Sequence, residues 1–195
     1  SLMKLIRAEY LEKGNDSTRL WKESQTEKGK QLESSDITKR EKVVVVFMSS
    51  TDESYGDKGT LLLDLQIQFI ESLVALRNSL NITIKVKPHP DSISRIDVTC
   101  QHMIVNKLLS IKEEVEIIWP ESKTVLSAIC EKADIVFVPH STVAFELSYN
   151  SIGFVSFQDS PFAEFSDATI GVGEITDKDC LEIFIREYML NKPVL

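Results

Sequence analysis

The stretch Lys85-Val86-Lys87-Pro88-His89-Pro90-Asp91 puts an imidazole and two ammonium groups on a short, stiff segment. The prolines on either side of His89 fix their own φ and restrict the residue before each. An imidazole held beside Lys87 can donate a hydrogen bond to a phosphate oxygen, and a bound dianion would draw it toward its charged form. The same residues also read as a turn histidine that ends a strand. A second stretch, Val138-Pro139-His140-Ser141-Thr142, runs directly into an apolar helical pattern. Ser or Thr before a helix is first of all an N-cap that satisfies orphan amides. That geometry also aims free N–H groups and the positive end of the helix dipole outward, where a phosphate is well held, and the Ser141 and Thr142 hydroxyls would add donors. Glu146 stands four residues past Thr142, one turn in and on the same side. Its carboxylate can accept hydrogen bonds from vicinal hydroxyls such as those of a ribose, or it is an ordinary exposed helix glutamate. Its neighbours Val143, Ala144, Phe145 and Leu147 make the helix mostly buried, where a lone carboxylate needs a partner. A third stretch, Ser49-Ser50-Thr51-Asp52-Glu53-Ser54-Tyr55-Gly56, pairs small hydroxyl residues with two acids. Ser49 and Ser50 would permit close approach of a ligand, and Asp52 or Glu53 could orient an acceptor or act as a base. A solvated turn explains them nearly as well.

Other chemistries lack their residues. Neither Gly-x-x-x-x-Gly-Lys-Ser/Thr nor Gly-x-Gly-x-x-Gly occurs, which removes the usual nucleoside-triphosphatase and dinucleotide readings. His140 and Ser141 are adjacent and no Gly-x-Ser-x-Gly elbow surrounds Ser141, so they make no nucleophile–base pair by themselves. The three histidines and three cysteines have no metal-ligand spacing. Cys100, Cys130 and Cys180, far apart and odd in number, read as reduced cytosolic thiols. Asp177-Lys178-Asp179 has the Asp-x-Asp form used by some metal-dependent enzymes, but at the head of a helical pattern it reads as a cap.

Each of the three stretches follows an apolar run, and the runs define the elements that would hold them. Val43 to Met48 is a continuous β-branched and apolar run, the signature of a strand buried on both faces of a parallel sheet. Leu61 to Leu80 places Leu62, Leu65, Phe69, Leu73 and Leu76 on one helical stripe. Further strands are expected at Ile82–Val86, Val115–Trp119, Ile135–Val138 and Phe154–Phe157. Helices are expected at Ile96–Ile111, Lys123–Lys132, Thr142–Tyr149 and Asp177–Leu190. Strands alternating with helices imply an α/β fold, a doubly wound, Rossmann-like parallel sheet of about five to six strands flanked by helices. In such sheets ligands bind outside the carboxyl ends of the strands, where the three stretches fall.

Charge divides the chain. Residues 1–42 carry a net +2 and residues 43–195 a net −10, in a chain of 195 residues. The first segment reads as a charged arm with a short amphipathic helix and a linker, the second as one α/β domain. An acidic body argues against a nucleic-acid partner. Within it, Lys85, Lys87 and His89 make a local basic spot suited to a small phosphorylated ligand. No run approaches 18 apolar residues and no signal-peptide pattern opens the chain, so a cytoplasmic location is expected.

Taken in order, Val-Phe-Met-Ser-Ser-x-Asp-Glu (46–53), Lys-x-His-Pro-Asp (87–91), Ile-Ile-Trp-Pro-Glu-Ser (117–122) and Ala-Asp-Ile-Val-Phe-Val-Pro-His-Ser-Thr-Val-Ala-Phe-Glu (133–146) form one pattern. It resembles the C-terminal, nucleotide-sugar-binding domain of GT-B fold glycosyltransferases of the capsule and surface polysaccharide type, with more distant similarity to CDP-glycerol glycerophosphotransferases. The resemblance covers residues 43–158. It implies that His89, with Lys87, binds the donor phosphate, joined by Ser141, Thr142 and the neighbouring His140 at the helix start. It further implies that Glu146 holds the ribose and that Pro120, Glu121 and Ser122 lie beside the base. The chain has His140 where the family usually has Gly, and Ser151-Ile152-Gly153 where it usually has Gly-Lys-Pro. The implied activity is metal-independent sugar transfer from a CMP-, CDP-, UDP- or GDP-linked donor to a glycan or lipid-linked acceptor, with no cofactor and with peripheral membrane association left open. A GT-B enzyme needs two such domains, so a missing N-terminal GT-B domain is an expected partner. Half of a nucleotide-sugar 2-epimerase, or a degenerate GT-B-like domain kept for binding or assembly, are the other readings.

Overall fold

The run Val43-Val44-Val45-Val46-Phe47 shows no polar alternation because both faces of its strand are covered. In the computed structural model, which describes residues 41–50, 57–91, 101–122 and 124–191, strand β1 (Lys42–Phe47) lies between β2 (Ile82–Lys87) and β4 (Ile135–Phe137). Val44, Val46 and Met48 enter one apolar cluster, and Val45 and Phe47 enter another. The first cluster is closed by helices α1 (Asp57–Leu80), α2 (Gln101–Ser110), α5 (Val172–Thr176) and α6 (Lys178–Asn191). The second is closed by α3 (Leu126–Cys130) and α4 (Val143–Tyr149). With β3 (Glu116–Ile117), β5 (Val155–Phe157) and β6 (Ala168–Ile170), the strands form a six-stranded sheet in the order β3-β2-β1-β4-β5-β6, with every pairing parallel. The fold is α/β, Rossmann-like and doubly wound, and the strand order reverses between β1 and β4.

The expected elements are present, with shifted ends. Helix α1 begins at Asp57, before the apolar stripe, and buries Leu62, Phe69, Leu73 and Leu76, while Leu65 is only partly covered. Strand β3 is two residues long because Val115 is spent on the turn after α2, its N–H donating to Ile111 O at 3.2 Å. The strand's contact with β2 continues through Ile118 N–H to Val86 O at 2.8 Å. Strand β6 was not among the five expected runs. Ala168-Thr169-Ile170 is too short to show a period, and its register with Val155-Ser156-Phe157 makes it a strand. Asp177 caps α6 as expected, its Oδ1 accepting from the Asp179 and Cys180 amides at 2.9 and 3.1 Å. Residues 1–40 of the charged arm and the Ile96 start of the second helix lie outside the described residues, and Lys42, expected to end the arm, begins β1. Of the cysteines, Cys130 is buried and Cys180 exposed, and neither is in a disulfide. Among the described residues no helix is long and apolar enough to cross a membrane.

Helix α4 ends in a Schellman motif. Ile152 N–H donates to Leu147 O at 2.9 Å and Ser151 N–H to Ser148 O at 3.2 Å, with Ser151 at φ 56°. A left-handed conformation is unfavourable for a residue with a Cβ and is best met by glycine. Ser151→Gly is therefore expected to raise stability by about 0.5–1 kcal/mol, seen as a later urea midpoint at unchanged slope. An unchanged midpoint would show that the backbone there carries no strain.

Candidate functional site at the carboxyl edge

The loops after β2, β1 and β4 lie side by side, because those strands are neighbours, and together they span roughly 10 Å of sheet edge. Met48 N–H donates to Lys87 O at 2.9 Å, so β1 and β2 stay zipped to their ends. The next amide, that of Ser49, donates to Gln66 Oε1 of α1 at 2.7 Å, and Ser49 and Ser50 are both buried. On the other side of the crevice, Val138 N–H donates to Val155 O at 2.8 Å, and Ser156 Oγ donates to Val138 O at 3.0 Å. These bonds fix the point from which His140, Ser141 and Thr142 leave the sheet.

Ser141, not Thr142, meets the start of α4. It is buried, and its Oγ accepts from Val143 N–H at a long 3.4 Å. Thr142 already has helical dihedrals, is exposed, and caps nothing with its side chain. The helix spans Val143–Tyr149, one residue short of its expected start, and Thr142 is exposed at the carboxyl edge.

Lys85 and Lys87 point to the same side of β2 but have different partners. Lys85 Nζ pairs with Glu116 Oε2 at 2.9 Å, so the expected basic spot loses one of its members. Lys87 has no ion-pair partner among the described residues, and partial burial pushes its ammonium below the usual lysine value. A cation desolvated without a counter-ion gains most from an arriving anion. Beyond it, buried Pro88 seats His89. The Asp91 amide donates to His89 Nδ1 at 3.2 Å, and Asp91 Oδ2 lies 3.7 Å from the same nitrogen. With Nδ1 an acceptor, the neutral ring carries its proton on Nε2, which is then available as a donor to a ligand.

His140 leans on Phe162 with ring centroids 5.9 Å apart, and Phe145 contacts both Phe162 and Phe165 at 5.3 and 5.4 Å. These rings cover the Phe145 side of α4, and Glu146 in the same helix is half-buried. Burial pushes the Glu146 carboxyl above its usual range. In the interval between the ordinary and the raised value the folded chain binds more protons than the unfolded chain. The stability that this contributes at acid pH is therefore lost as pH rises through the raised value. Glu146→Gln is expected to match the parent near pH 4, roughly the ordinary carboxylate value. At neutral pH it should be more stable by a few tenths of a kcal/mol (order of magnitude), because water still screens the group. Urea unfolding at the two pH values checks this, and a variant less stable at neutral pH would contradict it.

Other expected site residues lie farther out or outside the described segments. Pro120, Glu121 and Ser122 form a 3₁₀ turn, closed by Ser122 N–H to Trp119 O at 3.0 Å, beyond the end of β3. Three strand spacings, roughly 14 Å, separate β3 from β4. Asp52 and Glu53 lie outside the described residues. Two residues that hold the site were not expected. Gln66 sits on the buried stripe of α1 between Leu62 and Ile70, where a polar side chain at apolar spacing is a legible signal. Ser156 is a hydroxyl in a three-residue strand and carries no such signal. A cavity of about 510 Å³ opens at the opposite, amino edge, but Glu41, Glu113, Glu114 and Glu116 line it and would repel a phosphate.

No protein-family model matches the chain, and no curated protein does. Among solved structures, UDP-GlcNAc 2-epimerase of Methanocaldococcus jannaschii, in complex with UDP-GlcNAc and UDP, is similar at a TM-score of 0.52 and 15% identity. That likeness covers 94% of this chain and 44% of the epimerase, so the chain spans less than half the length of that structure. KpsC of Thermosulfurimonas dismutans, a beta Kdo 2,4 transferase, aligns over 80% of this chain and 50% of its own at 14% identity. Its TM-score of 0.38 is too low to define a shared fold. The epimerase likeness establishes the fold of this chain: a Rossmann-like parallel sheet, wound on both faces, with its strand order reversing between β1 and β4.

Proposed function

We propose that the body is the nucleotide-sugar-binding half of a GT-B-type enzyme, a metal-independent glycosyltransferase of surface or capsular polysaccharide synthesis. What supports this reading is that Lys87, with no ion-pair partner among the described residues, the His89 imidazole and the Ser141-Thr142 helix start all stand at the carboxyl edge, at the ends of β2 and β4 on either side of β1. Lys87 and His89 would hold the phosphate from the β2 side, and the Thr142 hydroxyl from the β4 side. As the bond to the sugar breaks, negative charge grows on the departing phosphate. Donors already fixed in place stabilise that charge without needing to reorganise. Glu146, one turn into α4, would accept from the ribose hydroxyls, which favour its charged form. The acceptor and the group that activates it belong to a facing domain that this body would complete. The epimerase likeness supports the same ligand class, since that protein is in complex with UDP-GlcNAc and UDP.

Thermal unfolding with CMP, CDP, UDP and GDP tests the reading. One nucleotide at about tenfold its Kd should raise the midpoint by roughly 3–6 °C, with chelator present throughout. A flat response to all four would overturn the donor-binding role and leave a degenerate domain. A strong preference for UDP, with sugar inversion and no transfer once the facing domain is supplied, would favour the epimerase reading.

A further inference from the structure

Gln66 is buried to 1% exposure in the middle of α1, and among the described residues only one end of its amide has a partner. Oε1 accepts the Ser49 amide at 2.7 Å. Nε2 has no hydrogen-bond partner among the described residues, and neither does the Ser49 hydroxyl, itself at 0% exposure. Buried polar atoms are almost always satisfied, so two orphans on the two residues joined by one hydrogen bond need a reason. They stand at the carboxyl end of β1, beside the reversal of strand order. The backbone between them is held from both sides, Met48 N–H by the Lys87 carbonyl and Ser49 N–H by Gln66.

We propose that Gln66 is a positioning residue for a phosphate subsite at the end of β1: Oε1 holds the Ser49-Ser50 backbone at the crevice, while the unused Nε2 and the Ser49 hydroxyl complete their hydrogen bonds on a phosphoryl oxygen of the bound ligand. This rests on the reading that the crevice receives a nucleotide phosphate. Nε2 can only donate, so it suits an oxygen that only accepts, and hydrogen bonds to a charged acceptor are the stronger kind. The Ser49 hydroxyl has three staggered positions about χ1, so it can change partner while its backbone stays clamped. The subsite lies beside the end of β2, whose Lys87 carbonyl accepts the Met48 amide.

The test uses the whole chain labelled with ¹⁵N, titrated first with UDP and separately with inorganic pyrophosphate. The Gln66 side-chain amide is identified by its disappearance in Gln66→Glu. That variant keeps an acceptor for Ser49 N–H but replaces the donor with a carboxylate oxygen. The Gln66 amide should shift together with the Thr142 backbone amide, and Gln66→Glu should bind UDP at least about tenfold more weakly, the loss expected for a hydrogen bond to a charged group. Ser49→Ala, small and neutral, should weaken UDP binding in the same direction and serves if Gln66→Glu does not fold. A shift at Thr142 with none at Gln66, and parental UDP affinity in the variants, would overturn the role of Gln66 and leave the nucleotide reading standing. A Gln66 shift with pyrophosphate but no response to UDP, nor to CMP, CDP or GDP titrated in its place, would support the phosphate subsite and overturn the nucleotide reading. Silence with all five ligands would overturn both.

Discussion

Phe69→Ala is expected to cost about 3–5 kcal/mol of unfolding free energy, the usual range for removing a fully buried aromatic side chain. Phe69 has 0% exposure and makes edge-on ring contacts with Phe137 of β4 at 4.8 Å and Phe157 of β5 at 5.7 Å. One side chain of α1 thus ties the helix across two strands on the far side of the strand-order reversal. Truncation leaves a cavity that the sheet cannot close, because its strands are held in register by hydrogen bonds. Natural domains have about 5–15 kcal/mol in total, so this one change removes a large share. Urea denaturation followed by far-UV circular dichroism measures it, and a loss below about 1 kcal/mol would mean that the ring contacts do not hold α1 to the sheet. Phe69→Leu keeps most of the volume and should cost clearly less.

His89→Ala is expected to weaken nucleotide diphosphate binding at least about tenfold while shifting stability by no more than about 0.5 kcal/mol. The asymmetry follows from the geometry. The ring is partly exposed, and its one described bond, to the Asp91 amide at 3.2 Å, is long and local. Little of the fold depends on it, whereas on the proposed reading Nε2 donates to the phosphate. His89→Gln, which can still donate from a neutral amide, should recover part of the affinity. Isothermal titration of both variants with the nucleotide that best stabilises the parent decides the point. Equal affinity in His89→Ala would sink the assignment of the β2 loop to phosphate, whatever the rest of the crevice does.

How far the sequence carried each part depends on how local its cause is. The unbroken run at Val43–Phe47 announced a strand covered on both faces, and the two clusters that take its alternate residues bear that out. The stripe of α1 was legible for the same reason, since a helix buries residues at its own period. Asp177 was legible as a cap because a cap is made by residues two and three positions away. Strand β6 was not, because only its register with β5 makes Ala168-Thr169-Ile170 extended. The site divides the same way. The three loops were found from prolines, hydroxyls and histidines at strand ends. That Lys85 is paired with Glu116, while Lys87 has no ion-pair partner among the described residues, depends on β3, which lies some thirty residues downstream.

By itself the sequence determined the class of the fold, the run of alternating strands and helices, and the edge of the sheet where polar chemistry collects. All three follow from periodicity and from turn residues, which act within a few positions of the chain. Only the tertiary structure decided the strand order that places β1 against β4, and so made neighbours of loops ninety residues apart. It also decided that Gln66 reaches the Ser49 amide and keeps one donor unused, because hydrogen-bond satisfaction in a buried site belongs to the packed whole.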